Sequence, residues 1–112
     1  MHFHGVDTKA VFKQMREAAP EPYRGFLEWE SKIWKDGAVP LKTKELIAVG
    51  IAQITQCPWC IDAHTGGALK AGATDAEIAE VTFVAMAMAA GAAWSHGGLA
   101  LQSANEHRAA KG

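Results

Sequence analysis

Leu41-Lys42-Thr43-Lys44-Glu45-Leu46-Ile47-Ala48-Val49-Gly50-Ile51-Ala52-Gln53-Ile54-Thr55-Gln56-Cys57-Pro58-Trp59-Cys60-Ile61-Asp62-Ala63-His64 holds two helices and the break between them. Leu46, Ile47, Val49, Ile51 and Ile54 make the first of these, Leu41 to about Gln56, apolar on most sides, which predicts a central position. Pro58 cannot continue a helix. It does suit the first turn of a new one, where its missing N–H has no partner to lose. The second helix therefore runs from Pro58 to about Ala71 and closes at Gly72, since glycine tolerates the left-handed conformation of a helix end.

Upstream, Asp7 or Thr8 is the expected N-cap of a helix reaching about Ala18, with Val11, Phe12 and Met15 at helical spacing. Pro20 and Pro22 break it. Tyr23 to Lys35 follows, its stripe made by Tyr23, Phe26, Leu27, Glu30, Ile33 and Trp34, and Asp36-Gly37 stops it. Trp29 and Trp34 are expected in the core. Downstream, Thr74-Asp75-Ala76-Glu77 has the pattern of a capping box, and a fifth helix continues through Ile78, Val81, Val84, Ala85 and Met88. Gly91, or Gly97-Gly98, is expected to separate it from a sixth helix ending near Ala109. No run alternates polar and apolar residues, and no Asn-Gly or Asp-Gly hairpin turn occurs. The fold class is all-α, a bundle of about six helices.

The chain has 112 residues, which sets one domain over 1–112, with residues 1–6, including His2 and His4, expected as a mobile terminus. Eleven Lys plus Arg against twelve Asp plus Glu leave a net charge of −1, so there is no basic footprint for nucleic acid. No uninterrupted apolar run reaches the length of a bilayer span; the nearest is Val81 to Trp94. The first residues lack a signal-peptide pattern, so the expected compartment is the cytoplasm, with no membrane partner. Phe83-Val84-Ala85-Met86-Ala87-Met88-Ala89-Ala90 is apolar all round and must be covered on every side. A chain this short has few helices to do so, which predicts that other copies help: a homo-oligomer.

The chemistry lies in Cys57-Pro58-Trp59-Cys60-Ile61-Asp62-Ala63-His64. With Pro58 opening a helix, Cys57 falls at the N-cap and Cys60 in the first turn, where free N–H groups and the helix dipole favour thiolate. Cys60 and His64 share a face one turn apart. A thiolate, a second thiol and a base on one turn suit two-electron thiol redox chemistry. Rival readings stay open from the residues alone. The two thiols and the His could be structural. Cys57, Cys60 and His64 could ligate zinc, although a fourth ligand is needed and His2, His4, His96 and His107 fall in no supporting pattern. A thioredoxin-like protein also uses Cys-x-x-Cys but needs strands that this sequence lacks. Asp62 reads as an ordinary exposed residue, and Trp94-Ser95-His96-Gly97 as a segment with a partly exposed structural His.

Glu45-x11-Cys57-x2-Cys60-x3-His64 resembles the active-site pattern of the AhpD-like alkylhydroperoxidases, within the carboxymuconolactone decarboxylase superfamily. Leu41 to Ala48 before the motif and Ala68 to Ile78 after it agree, and the resemblance covers roughly residues 20 to 105. It implies an all-helical subunit that assembles as a homotrimer or homohexamer. It implies peroxiredoxin-type reduction of a hydroperoxide substrate, at the expense of a thiol or dithiol reductant, with no cofactor. Carried over by residue, Cys60 attacks the peroxide, Cys57 resolves, and Glu45 with His64 forms the proton relay. One position departs: the best-studied members carry a second His directly before the second cysteine, where this chain has Trp59, and Trp cannot pass a proton. A redox-responsive or scaffold protein whose thiols oxidise without turnover is therefore the alternative function. The lactone decarboxylases use no Cys-x-x-Cys pair, which sets that branch aside. Twelve helical residues would separate Glu45 from Cys57 by ~18 Å, so the relay requires the second helix to fold back and carry His64 toward Glu45.

Overall fold

The structure, a computed structural model, describes residues 3–111 as five α-helices: α1 (Thr8–Ala18), α2 (Pro20–Ile33), α3 (Leu41–Thr55), α4 (Pro58–Lys70) and α5 (Asp75–Lys111). Among these residues the only pairing of extended backbone is an isolated bridge between Phe3 and Val6. The all-α class follows. Caps form where the side chains allow them. Asp7 accepts from the Ala10 N–H at 3.3 Å to start α1. The expected box opens α5: the Thr74 hydroxyl accepts from the Glu77 N–H at 3.2 Å and the Glu77 carboxylate from the Thr74 N–H at 3.0 Å. Lys42 reaches across from α3 to that carboxylate at 2.8 Å. The Lys42 ammonium, followed by the Thr74 hydrogen bonds, holds the Glu77 carboxyl below its ordinary range.

Two boundaries differ from the sequence reading. α2 begins at Pro20 rather than Tyr23, because a proline that ends one helix is equally suited to the first turn of the next. The expected break at Gly91 or Gly97-Gly98 is absent, and α5 runs unbroken for 37 residues, so there are five helices and not six. An interior glycine costs a helix about 1 kcal/mol but does not end it. A glycine ends a helix by taking the left-handed conformation, and among the described glycines only Gly5 and Gly72 have positive φ. The continuous α5 also extends the apolar stretch past Val81–Trp94: by length and composition alone it could cross a membrane, with a mean hydropathy of 1.4. His2 lies outside the described residues. Residues 3–6 of the expected mobile terminus are placed in a tight turn with His4 and Gly5 at positive φ and the Val6 N–H on the Phe3 carbonyl.

α3 is central, as its all-round apolarity predicts, and packs on both α4 and α5, while α1 packs mainly on α2. The core is thin. Leu46, Ala68 and Ala73 form its centre with Ile78 and Val81 against them, and Val49, Ala52 and Ala85 complete the buried set. Small residues predominate because α3 and α4 approach closely. The chain measures 61 × 38 × 31 Å with a radius of gyration of 19.9 Å, against about 13 Å for a compact domain of this length. Its accessible surface is 8560 Å², where a compact monomer of this mass exposes roughly 5,900 Å². Trp29, expected in the core, is 59% exposed, and Phe83, Val84, Met86 and Met88 all stand in the open on α5. The helical stripes are present as expected, but much of their apolar surface stays exposed within the chain.

Candidate active site

The site is built on the turn from α3 to α4. Gln56 caps α3 in the left-handed region at φ 58°, and the Cys57 N–H closes the end on the Ala52 carbonyl at 3.0 Å. This reverses the chain within two residues and lays α4 back along α3. Cys57 is the N-cap of α4, its sulfur accepting from the Cys60 N–H at 3.3 Å. An N-cap side chain reaches the third residue of its helix, so the Cys-x-x-Cys spacing brings the two sulfurs together. They are joined as a disulfide, with Cα atoms 5.3 Å apart.

Folding back carries His64 to Glu45, and its Nδ1 lies 2.7 Å from Glu45 Oε2. The Glu45 side chain is only 10% exposed and that of His64 25%. A carboxylate oxygen can only accept, so Nδ1 carries the proton and Nε2 of the neutral ring is left with its lone pair. Space for the carboxylate comes from Gly67, one turn after His64. A Cβ there would stand 2.6 Å from the Glu45 carboxyl carbon and 2.7 Å from both its oxygens. One face of the imidazole is covered by Trp34 at the end of α2, ring centroids 4.4 Å apart and planes tilted by 35°. Cys60, His64 and Trp34 line one cleft of about 460 Å³, whose remaining walls, including Ile33, Ile47 and Ile51, are almost wholly apolar.

The sequence profile of the carboxymuconolactone decarboxylase family matches residues 20–103. The chain belongs to that family. An uncharacterised protein of the cox locus of Paracoccus denitrificans is 47% identical over 81 residues, 72% of this chain and 73% of that protein. A crystal structure of a carboxymuconolactone decarboxylase family protein from Legionella pneumophila superposes with a TM-score of 0.69 at 38% identity, over 73% of each chain. A shorter match, 49% over 39 residues, is to an alkyl hydroperoxide reductase of Mycobacterium tuberculosis; it spans 35% of this chain and 11% of that protein.

In this carboxymuconolactone decarboxylase family chain, all four motif residues converge, Glu45 with His64 and Cys57 with Cys60. Trp59 is not among the cleft walls. Its indole packs against Phe3 and His4, with centroids 5.7 and 5.5 Å away, and its N–H is buried without a hydrogen-bond partner. Asp62 is exposed. His96 is exposed as well, its ring against the Ala92 carbonyl, and Trp94 is 86% exposed; neither reaches the cleft. Among the described residues no three His, Cys, Asp or Glu gather as a metal-binding group. Sequence reasoning missed two site residues, Trp34 and Gly67. The glycine pair inside a predicted helix was a signal for the second, since an interior helical glycine is one way to admit a close approach, although Gly66 serves none.

Gly67 and its neighbour provide a matched test. Gly66 has open space where its Cβ would be, so Gly66→Ala is expected to hold or raise stability, by up to about 1 kcal/mol. Gly67→Ala pushes into the Glu45 carboxylate and is expected to cost about 1–3 kcal/mol, the scale of a buried hydrogen-bonding group that loses its partner. Thermal melts of the two variants compare them; equal melting temperatures would contradict the close packing of Glu45 on α4.

Proposed function

We propose that this chain reduces hydroperoxides through a Cys57/Cys60 dithiol–disulfide cycle served by a Glu45–His64 proton relay. The observation that carries this reading is a redox pair and a carboxylate-held imidazole opening onto one apolar cleft. Cys60 is assigned the attack because it lines the cleft, whereas Cys57 does not. In the reduced protein, His64 Nε2 accepts the Cys60 proton. The thiolate attacks the outer peroxide oxygen: an S–O bond forms, the O–O bond breaks, and the departing alkoxide takes the proton from His64 to leave as the alcohol. Cys60 is now a sulfenic acid. The Cys57 sulfur displaces its hydroxyl, forming the disulfide and releasing water. An external thiol or dithiol then returns two electrons and two protons by exchange through a mixed disulfide. The cysteines supply both electrons, so the cycle asks for no cofactor. It does require a compartment that keeps thiols reduced, which favours the cytoplasm.

The working form in this reading is a homo-oligomer, a trimer or a hexamer. The protomer exposes roughly 2,600 Å² more than a compact monomer of its mass, which is the scale of an obligate interface. A second groove, of about 340 Å³, lies between α3 and α5 and is walled by Leu46, Ile54, Val84 and Met88 among others. Ile47, Ile51 and Thr55 line both this groove and the thiol cleft. A neighbouring copy seated in the groove would therefore brace one wall of the site.

Purified protein supplied with an organic hydroperoxide and a dithiol is expected to turn over many times. Cys60→Ser should abolish this, and Cys57→Ser should stop after one oxidation as a trappable sulfenic acid. Consumption of a single equivalent by the wild type would instead favour a redox-responsive protein. His64→Ala should slow oxidation at neutral pH and recover toward about pH 8.5, where an unassisted thiol ionises. For assembly, light scattering should give a multiple of the 11.9 kDa subunit, and Val84→Glu should lower it. A folded wild-type monomer at micromolar concentration would contradict the oligomer.

A further inference from the structure

The junction after α2 holds Trp34 from three directions. The Lys44 ammonium donates to the carbonyl of Ile33 at 2.9 Å and to that of Lys35 at 2.8 Å, gripping the backbone on either side of Trp34. The indole N–H donates to the carboxylate of Glu30, one turn earlier in the same helix, and so fixes the ring's rotation. The ring then lies on the His64 imidazole at 4.4 Å. Lys44 and Glu45 are consecutive residues of α3, so one anchors the segment that carries the indole and the next anchors the imidazole. Packing does not account for this. Trp34 is only half-buried, borders the cleft, and sits on a helix whose main contact is with α1.

A single hydrogen bond at Nδ1 leaves an imidazole free to swing about that bond. A ring stacked on its face removes the swing, and aromatic pairs prefer such offset or tilted geometry. We propose that Trp34 is a positioning residue of the thiol site, holding the plane of the His64 ring beside Cys60, with Glu30 and Lys44 fixing Trp34 in turn. This rests on the reading of His64 as the proton acceptor for Cys60. It adds a component that lies outside the Glu-Cys-Cys-His pattern altogether.

The test measures alkylation of Cys60 by iodoacetamide in the reduced protein as a function of pH, read by mass spectrometry, and needs no peroxidase turnover. Trp34→Leu is expected to slow alkylation at neutral pH by up to about tenfold and to displace the profile to alkaline pH. Trp34→Phe, which retains a stacking ring but loses the N–H that Glu30 holds, should fall between wild type and Trp34→Leu and shows that the site tolerates substitution. His64→Ala is the reference for loss of the relay. A wild-type profile in Trp34→Leu overturns the proposal, as does a Phe variant as slow as the Leu variant. If His64→Ala is slow while Trp34→Leu is not, the relay stands without Trp34; if neither is slow, both readings fall.

Discussion

The hydrogen bond between Glu45 and His64 is the constraint on which the site depends. Glu45 is the one charged residue among the buried residues of the described chain. Burying a carboxylate without a partner costs several kcal/mol, so α4 must return along α3 closely enough to offer one. The left-handed Gln56, the first-turn Pro58 and the missing side chain at Gly67 each serve that return. Once it is made, the first turn of α4 places Cys60 on the wall of the apolar cleft, bonded to Cys57 at the N-cap. The geometry of the candidate site and the packing of the central helix pair are one arrangement.

The rest of the chain is loosely built around this pair. Its buried set is made mostly of alanines, and its largest apolar side chains lie on the outer faces of α1, α2 and α5. Hydrophobic burial scales with area, so a chain that exposes this much apolar surface gains little stability from its own folding. Covering α5 with neighbouring copies would supply what the thin core lacks. It would also tie the wall shared by the two grooves to assembly.

Much of this was legible in the sequence. Pro58 announces a helix start, which places Cys57 at the N-cap and Cys60 within its reach. The Thr74–Glu77 box reads directly as the start of α5. Glu45 was different, because twelve helical residues separate it from Cys57 and only the family resemblance argued that the chain folds back. The glycines of α5 misled, since glycine weakens a helix without ending it. Trp29 and Trp34 misled in another way. An apolar stripe identifies a face that wants cover but not what covers it: Trp29 packs on Phe26 of its own helix and stays 59% exposed, and Trp34 meets an imidazole.

The central claim is that the carboxylate of Glu45 sets the His64 tautomer and so prepares the imidazole to take the Cys60 proton. Replacing Glu45 with Gln keeps the shape and removes the obligatory acceptor, since an amide can also donate. The direct measurement is the pH dependence of the second-order rate constant for oxidation of the reduced protein by an organic hydroperoxide, in wild type and Glu45→Gln. The account predicts that the variant reacts more slowly at neutral pH and converges on the wild type as the pH rises through the range of an unassisted thiol, about 8.5. Superimposable profiles would contradict it.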